Sequence, residues 1–139
     1  MEYYETSNTI NGTPEQIWEV LTDARGMTDR DSGVEIDGTI APGQKLKLHT
    51  EANPGRAFSL KVVEYDPGRR MVWKGGMPLG LFTGERTYTL TPAGDATAFH
   101  MREEYSGPML GMIWKSMPDL QPSFDRFASG LKTRIETGG

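Results

Sequence analysis

The sequence has no cysteine and only two histidines among its 139 residues. Without cysteine, these residues can form no disulfide framework, no thiolate nucleophile and no cysteine-ligated metal site. His49 and His100 both fall on strand faces that are predicted to be wet, and neither has a further ligand residue at metal spacing. No Ser-His-Asp set can be assembled without them. We therefore expect no metal and no cofactor, and we single out no catalytic residue.

The sequence also lacks long apolar runs and any concentration of positive charge. No apolar run approaches the roughly 20 residues that a membrane-spanning helix needs. The segment Met1–Asn8 is acidic and polar, unlike a secretory signal. The 15 basic residues are scattered and the net charge is −4, which argues against a nucleic-acid partner. We therefore predict a cytoplasmic protein without membrane insertion.

Turn-forming residues are abundant instead, with 17 glycines and 9 prolines. Pro and Gly occupy successive turn positions at residues 41–43, 53–55 and 66–68. Apolar and polar side chains alternate in the segments between these turns, as they do in half-buried strands. The clearest pair of strands flanks a turn predicted at residues 92–95. One dry face and one wet face per strand predict an antiparallel sheet that is covered on a single side.

Two helices are predicted near the ends of the chain. Thr13 as N-cap, Pro14 and Gln16 form a capping box directly after an opening strand at residues 2–11. Near the C-terminus, a long helix that begins close to Asp119 is predicted by one apolar stripe, formed by Leu120, Phe124, Phe127, Leu131 and Ile135. The apolar stretch 109–117 before it is interpreted as a short helix or lid. Together these elements predict one α+β domain over residues 1–139, with about seven strands covered by the C-terminal helix.

Two charged residues interrupt the dry faces of the last two strands. Arg86 falls between Gly84 and Tyr88, and Glu103 falls between Met101 and Tyr105. A hairpin turn of four to six residues would make them direct or diagonal neighbours on adjacent strands. Because either charge buried alone would cost several kcal/mol, we predict that they form an ion pair. The pair can be purely structural, can orient a ligand, or can act in acid–base chemistry, and the sequence leaves these three roles open.

The order of elements, together with several segments, resembles the START-related (SRPBCC) superfamily. The segments are PEQIWEVLTD at 14–23, VVEYDPGRRMVW at 62–73, GERTYTLTP at 84–92 and EEYSG at 103–107. This superfamily has the helix-grip fold and includes the major birch pollen allergen, START lipid-transfer domains and the polyketide cyclase/dehydrase group. The tryptophan-rich segment of the Hsp90-activator-like branch is absent at Asp23–Asp31, so the polyketide cyclase/dehydrase-like branch is the closer match.

The resemblance implies a curved sheet wrapped around the long helix, with an elongated apolar cavity between them. It implies a carrier or sensor that binds a small hydrophobic ligand, lipid-like or of the polyketide or aromatic kind. The first alternative is a polyketide cyclase or dehydratase that acts by shaping its substrate in the same cavity. The second is a protein-interaction module like the Hsp90 activators. A monomer or weak homodimer is expected.

Dry-face tyrosines and tryptophan, together with methionines that adapt to irregular apolar shapes, complete the candidate ligand site. The same side chains could instead be ordinary core filling, and both interpretations stay open. The candidate ligand-binding residues are Arg86, Glu103, Tyr88, Tyr105, Trp73, Met101, Met112, Met117, Phe124 and Phe127.

Overall fold

The computed structural model describes residues 2–23, 34–50 and 57–137. Within these ranges the chain forms seven strands and three helices. Their bounds are β1 (Glu2–Ile10), α1 (Pro14–Leu21), β2 (Val34–Asp37), β3 (Lys45–Thr50), β4 (Ala57–Asp66), β5 (Arg70–Gly76), β6 (Thr83–Ala93), β7 (Ala96–Ser106), α2 (Leu110–Ser116) and α3 (Gln121–Glu136). A short 3₁₀ turn, Pro78–Gly80, links β5 to β6. None of the helices in the described ranges is long and apolar enough to cross a bilayer.

The seven strands form one curved antiparallel sheet in the order β1-β7-β6-β5-β4-β3-β2. Buried residues alternate with more exposed ones along β6 and β7, which confirms the predicted dry and wet faces. The strands continue until Ala93 pairs with Ala96, so only Gly94 and Asp95 connect them. This turn is tighter than the four to six residues considered from the sequence. Gly94 has a positive φ of 67°, as two-residue hairpin turns require.

The helix α1 begins at the predicted capping box. The Thr13 hydroxyl accepts a hydrogen bond from the Gln16 backbone N–H at 3.1 Å, and the Gln16 side chain accepts one from the Thr13 N–H at 2.9 Å. Ile17, Trp18 and Leu21 are buried, and the Trp18 ring meets the Tyr65 ring edge-on at 5.2 Å. The helix therefore fills one end of the concave face of the sheet.

The helix α3 lies along the edge strand β1. Asn8 donates a hydrogen bond to the Ala128 carbonyl at 2.9 Å, and Gln121 donates one to the Glu5 carbonyl at 2.9 Å. The helix begins at Gln121, two residues after the predicted start, with Pro122 in its first turn as predicted. Its buried residues are Phe124, Phe127, Ala128, Gly130 and Leu131, which confirms the centre of the predicted stripe. The outer members of that stripe, Leu120 and Ile135, are only partly buried. The chain thus has the predicted α+β helix-grip architecture.

Two sequence predictions fall outside the described residues. The turn predicted at 53–55 lies there entirely. So do residues 24–31 of the polar stretch that follows α1.

Replacing Thr13 by Ala should lower the free energy of unfolding by about 1 kcal/mol, because the α1 capping box loses its side-chain acceptor. Urea unfolding followed by circular dichroism measures this loss. Thr133→Ala is the matched control, since Thr133 is exposed in the interior of α3 and alanine is the better helix former there. If both variants lost the same free energy of unfolding, the capping box would make no specific contribution to stability.

Candidate functional site

A cavity of about 520 Å³ lies beneath α2 at one end of the sheet. Its strand residues come from the beginnings of β4 and β6 and from the later parts of β3, β5 and β7, which meet at the same end in an antiparallel sheet. The cavity is lined by Leu48, Ser59, Leu60, Gly75, Gly76, Met77, Phe82, Gly84, Arg86, Glu103, Tyr105, Met109, Ile113, Ser116, Met117, Pro118, Leu120, Ser123 and Phe124. Exposed residues such as Ser116 and Pro118 are part of this lining, so the cavity reaches the surface near the end of α2.

An ion pair between Arg86 and Glu103 lies on the wall of this cavity. The two residues are directly opposite on β6 and β7, and Arg86 Nε donates to Glu103 Oε1 at 2.7 Å. Their side chains are only 11% and 13% exposed. The predicted ion pair is therefore confirmed, and the two-residue hairpin turn explains its exact pairing: once Ala93 opposes Ala96, alternation brings Arg86 and Glu103 together on the dry face.

Gly84, which has no side chain, leaves space for the Glu103 carboxylate. A Cβ added at Gly84 would lie 2.7 Å from Glu103 Oε2, closer than real Cβ contacts allow. The carboxylate therefore occupies space that only a glycine leaves free at this position of β6. Gly84 itself lines the cavity, so this oxygen lies at the cavity wall.

The surroundings keep Arg86 charged. Burial is the largest single influence and would lower the pKa of the guanidinium, but the Glu103 carboxylate, together with the Tyr88 and Tyr105 side chains, raises the pKa above its ordinary value. The Phe124 ring of α3 covers the guanidinium with its centroid 5.0 Å from Cζ, a cation–π distance. The cavity therefore has one fixed positive charge and one fixed negative charge, held against each other and against an aromatic ring.

Three buried polar atoms next to this pair have no hydrogen-bond partner among the described residues. They are the hydroxyls of Tyr88 and Tyr105 and the indole Nε1 of Trp73. Burial raises the pKa of both phenols, and for Tyr105 the charge of the Glu103 carboxylate raises it further. Both hydroxyls therefore stay protonated at neutral pH. Of these three residues only Tyr105 lines the cavity, and its hydroxyl is buried behind that lining.

The short helix α2 covers the cavity without being buried itself. It contains no buried residue and has no side-chain cap. Trp114 anchors it through ring contacts with Tyr4 at 5.3 Å and with Tyr105 at 5.5 Å. The Met109 N–H, just before the helix, donates to the Leu81 carbonyl at 2.9 Å. The predicted short helix in this stretch is thus present, and its position over the cavity is that of a lid.

The structure brings half of the ten candidate ligand-binding residues to the cavity. Arg86, Glu103, Tyr105, Met117 and Phe124 line it. The others lie elsewhere: the core takes up Trp73, Tyr88, Met101 and Phe127, and Met112 is 63% exposed on the outer side of α2.

Several cavity residues are missing from the list of candidate ligand-binding residues. Met109 and Ile113 line the cavity together with Met117, and the spacing of four between them places all three on one side of α2. The spacing of four is visible in the sequence and would have predicted that these three residues share one side of the helix, whereas Met112 lies on another side. No sequence pattern predicts that Gly84 and Ser123 line the cavity, because their place in the lining depends on which residues lie opposite them in the folded chain.

The histidines lie on the outer surface, as predicted. His100 contacts Glu5 at 2.9 Å and His49 lies 3.5 Å from Asp37. In the described parts of the chain, no three His, Asp or Glu side chains are grouped closely enough to hold a metal ion.

The model of the family described as polyketide cyclase / dehydrase and lipid transport matches residues 1–136. The chain belongs to this family. No protein with a curated description matches it. The match confirms the resemblance to the START-related superfamily and its polyketide cyclase/dehydrase-like branch.

Solved structures of the same fold agree with this membership. Protein MLL2253 from Mesorhizobium loti aligns over 99% of both chains with 16% identity and a TM-score of 0.77. The Aha1 dimer from Colwellia psychrerythraea aligns over 99% of this chain and 98% of its own, with 19% identity and a TM-score of 0.76. Truncated norcoclaurine synthase from Thalictrum flavum aligns over 96% of this chain and 92% of its own, with 17% identity and a TM-score of 0.71. At such identities the likeness shows a common fold and nothing finer.

Replacing Arg86 by Met should lower the free energy of unfolding by about 3–5 kcal/mol, because Glu103 is left buried without its counter-charge. The double variant Arg86→Met/Glu103→Leu should recover most of that loss. Chemical unfolding at pH 7 measures both values.

The exposed pair of Arg70 and Glu64 provides a matched control, with the same 2.7 Å Nε–carboxylate distance but side chains 49% and 51% exposed. Arg70→Met should cost no more than about 1 kcal/mol. A double variant at 86 and 103 that is as unstable as the single one would contradict the electrostatic explanation.

Proposed function

We propose that this protein binds a small, mostly apolar molecule in the cavity beneath α2 and acts as its carrier or sensor. The observation that carries the proposal is a cavity of about 520 Å³ that has a largely apolar lining and a single ion pair on its wall. Small-molecule sites typically measure about 300–1,000 Å³ and combine apolar walls with a few fixed polar groups.

The lining favours a ligand with an aromatic or acyl body. Phe82, Tyr105 and Phe124 supply flat apolar surface, and the methionines of the α2 side supply adaptable contacts. Burial of apolar ligand surface contributes about 25 cal/mol per Å². The apolar wall thus supplies affinity, while Arg86 and Glu103 orient whichever polar group the ligand carries.

The family description supports the same proposal, because it joins polyketide cyclases and dehydrases with lipid transport. Both activities need a molecule held in an apolar cavity. A carrier or sensor needs nothing further, and we place it first for that reason.

A cyclase-type enzyme is the second candidate, and the Tyr105 hydroxyl favours it. This phenol is protonated, lacks a hydrogen-bond partner among the described residues and belongs to a residue that lines the cavity near Glu103, so a small shift of the ring would bring the hydroxyl to a bound substrate. Such a donor can polarise a substrate carbonyl while the apolar walls fold the chain into a reactive shape.

Filling the cavity from α3 tests the carrier proposal. Ser123→Trp places a large ring on the cavity lining, so the affinity for the neutral fluorescent probe N-phenyl-1-naphthylamine should fall at least about tenfold. Ser129→Trp is the matched control, because Ser129 lies on the same helix but is exposed and away from the cavity. Equal probe affinity in both variants, measured by fluorescence titration, would mean that the cavity is not the binding site.

Turnover of a synthetic poly-β-ketone thioester, followed by mass spectrometry, tests the second candidate. An enzyme should form cyclised product faster than buffer does, and Tyr105→Phe should slow it by about a hundredfold if the phenol stabilises a developing oxyanion. Tyr3→Phe is the control, since Tyr3 is exposed on β1 and lies outside the cavity lining. A rate equal to that in buffer would remove this candidate and leave the carrier in place.

A further inference from the structure

The ion pair on the cavity wall uses only a small part of its hydrogen-bonding capacity. A guanidinium has five N–H donors, and a carboxylate has two acceptor oxygens. The one hydrogen bond of good geometry that Arg86 and Glu103 make in the described part of the chain runs from Nε to Oε1. The Tyr88 side chain lies close to Arg86 and the Tyr105 side chain close to Glu103, but neither hydroxyl completes a hydrogen bond of good geometry among the described residues. The Nη groups of Arg86 and Oε2 of Glu103 therefore keep hydrogen-bonding capacity for a ligand.

These free groups lie next to each other at the cavity. Both side chains belong to its lining, and Oε2 lies over Gly84, which lines it as well. Phe124 covers the guanidinium on the α3 side. A ligand in the cavity thus meets donors from Arg86 and an acceptor from Glu103 side by side.

The cavity is also electrically balanced. Arg86 and Glu103 carry opposite charges, and every other described residue of the lining is apolar or uncharged at neutral pH. An anionic ligand would add a negative charge with no free counter-charge, and a cationic ligand would add an unmatched positive one. An uncompensated ion in an apolar site is strongly disfavoured.

We infer that the site selects uncharged ligands whose polar end carries a hydrogen-bond acceptor next to a donor. A carbonyl oxygen would accept from the Arg86 Nη groups, and a neighbouring hydroxyl or amide N–H would donate to Glu103 Oε2. Primary amides, hydroxyketones and hydroxylated aromatic ketones have this arrangement. The inference rests on the proposed function, since it specifies which molecules the cavity binds.

Three probes with the same apolar body test this selection: 2-naphthamide, 2-naphthoate and 2-naphthylmethylamine. Calorimetric titration at pH 7 should show naphthamide binding at least about tenfold more tightly than either ion. Competition with N-phenyl-1-naphthylamine, and weaker binding to Ser123→Trp, place the probes in the cavity. The affinities and the competition are measured on the unaltered protein, so the comparison of the three probes does not depend on the Ser123→Trp variant folding.

Charge removal then tests the cause. Glu103→Gln leaves Arg86 as an unmatched positive charge, so naphthoate should become the preferred probe. Glu64→Gln removes a carboxylate from the exposed pair with Arg70, outside the cavity lining, and should leave the preference for naphthamide unchanged.

The outcomes separate the inference from the proposed function. Equal affinity for naphthamide and naphthoate, or an unchanged order in a folded Glu103→Gln variant, would overturn the inference while the cavity remains a binding site. Failure of all three probes and of N-phenyl-1-naphthylamine to bind the folded protein would overturn both.

Discussion

The width of the sheet is the constraint on which the rest of this structure depends. Seven strands spaced about 4.8 Å apart span about 29 Å, whereas one helix with its side chains is only about 10–12 Å wide. The helix α3 is tied to the edge strand β1 and so covers only part of the concave face. Buried side chains of α1 fill one end, and α2 spans the other without filling it. The hollow is what remains when a single helix covers a sheet too wide for it.

The hairpin of β6 and β7 gives this hollow its chemistry. Its two-residue turn fixes which residues face each other, and the dry face then carries Arg86 against Glu103 at the end where packing is incomplete. In a solid core such a pair would be hard to justify, because apolar residues of similar volume often stabilise as well or better. Beside a cavity, the same pair provides directional contacts that apolar walls cannot provide.

Local patterns were sufficient to predict the elements and their faces. Alternation in β6 and β7 identified the dry residues, the stripe from Phe124 to Leu131 identified α3, and Thr13 with Gln16 identified the start of α1. The same patterns could not predict which dry-face residues of a strand lie at the cavity and which lie in the packed core. Tyr88 and Arg86 share a face, yet Tyr88 packs under α3 and Arg86 reaches the cavity. That difference depends on where α3 begins relative to the sheet, which no short-range pattern encodes.

The light anchoring of α2 has a consequence for how fast a ligand can come and go. Because this helix contains no fully buried residue and is held by the ring contacts of Trp114 and one backbone hydrogen bond to Leu81, displacing it leaves the sheet and α3 intact. Exchange through this side requires only a local opening. For the carrier proposed above, the residence time of a bound molecule would then be set by this local opening and not by the lifetime of the folded state.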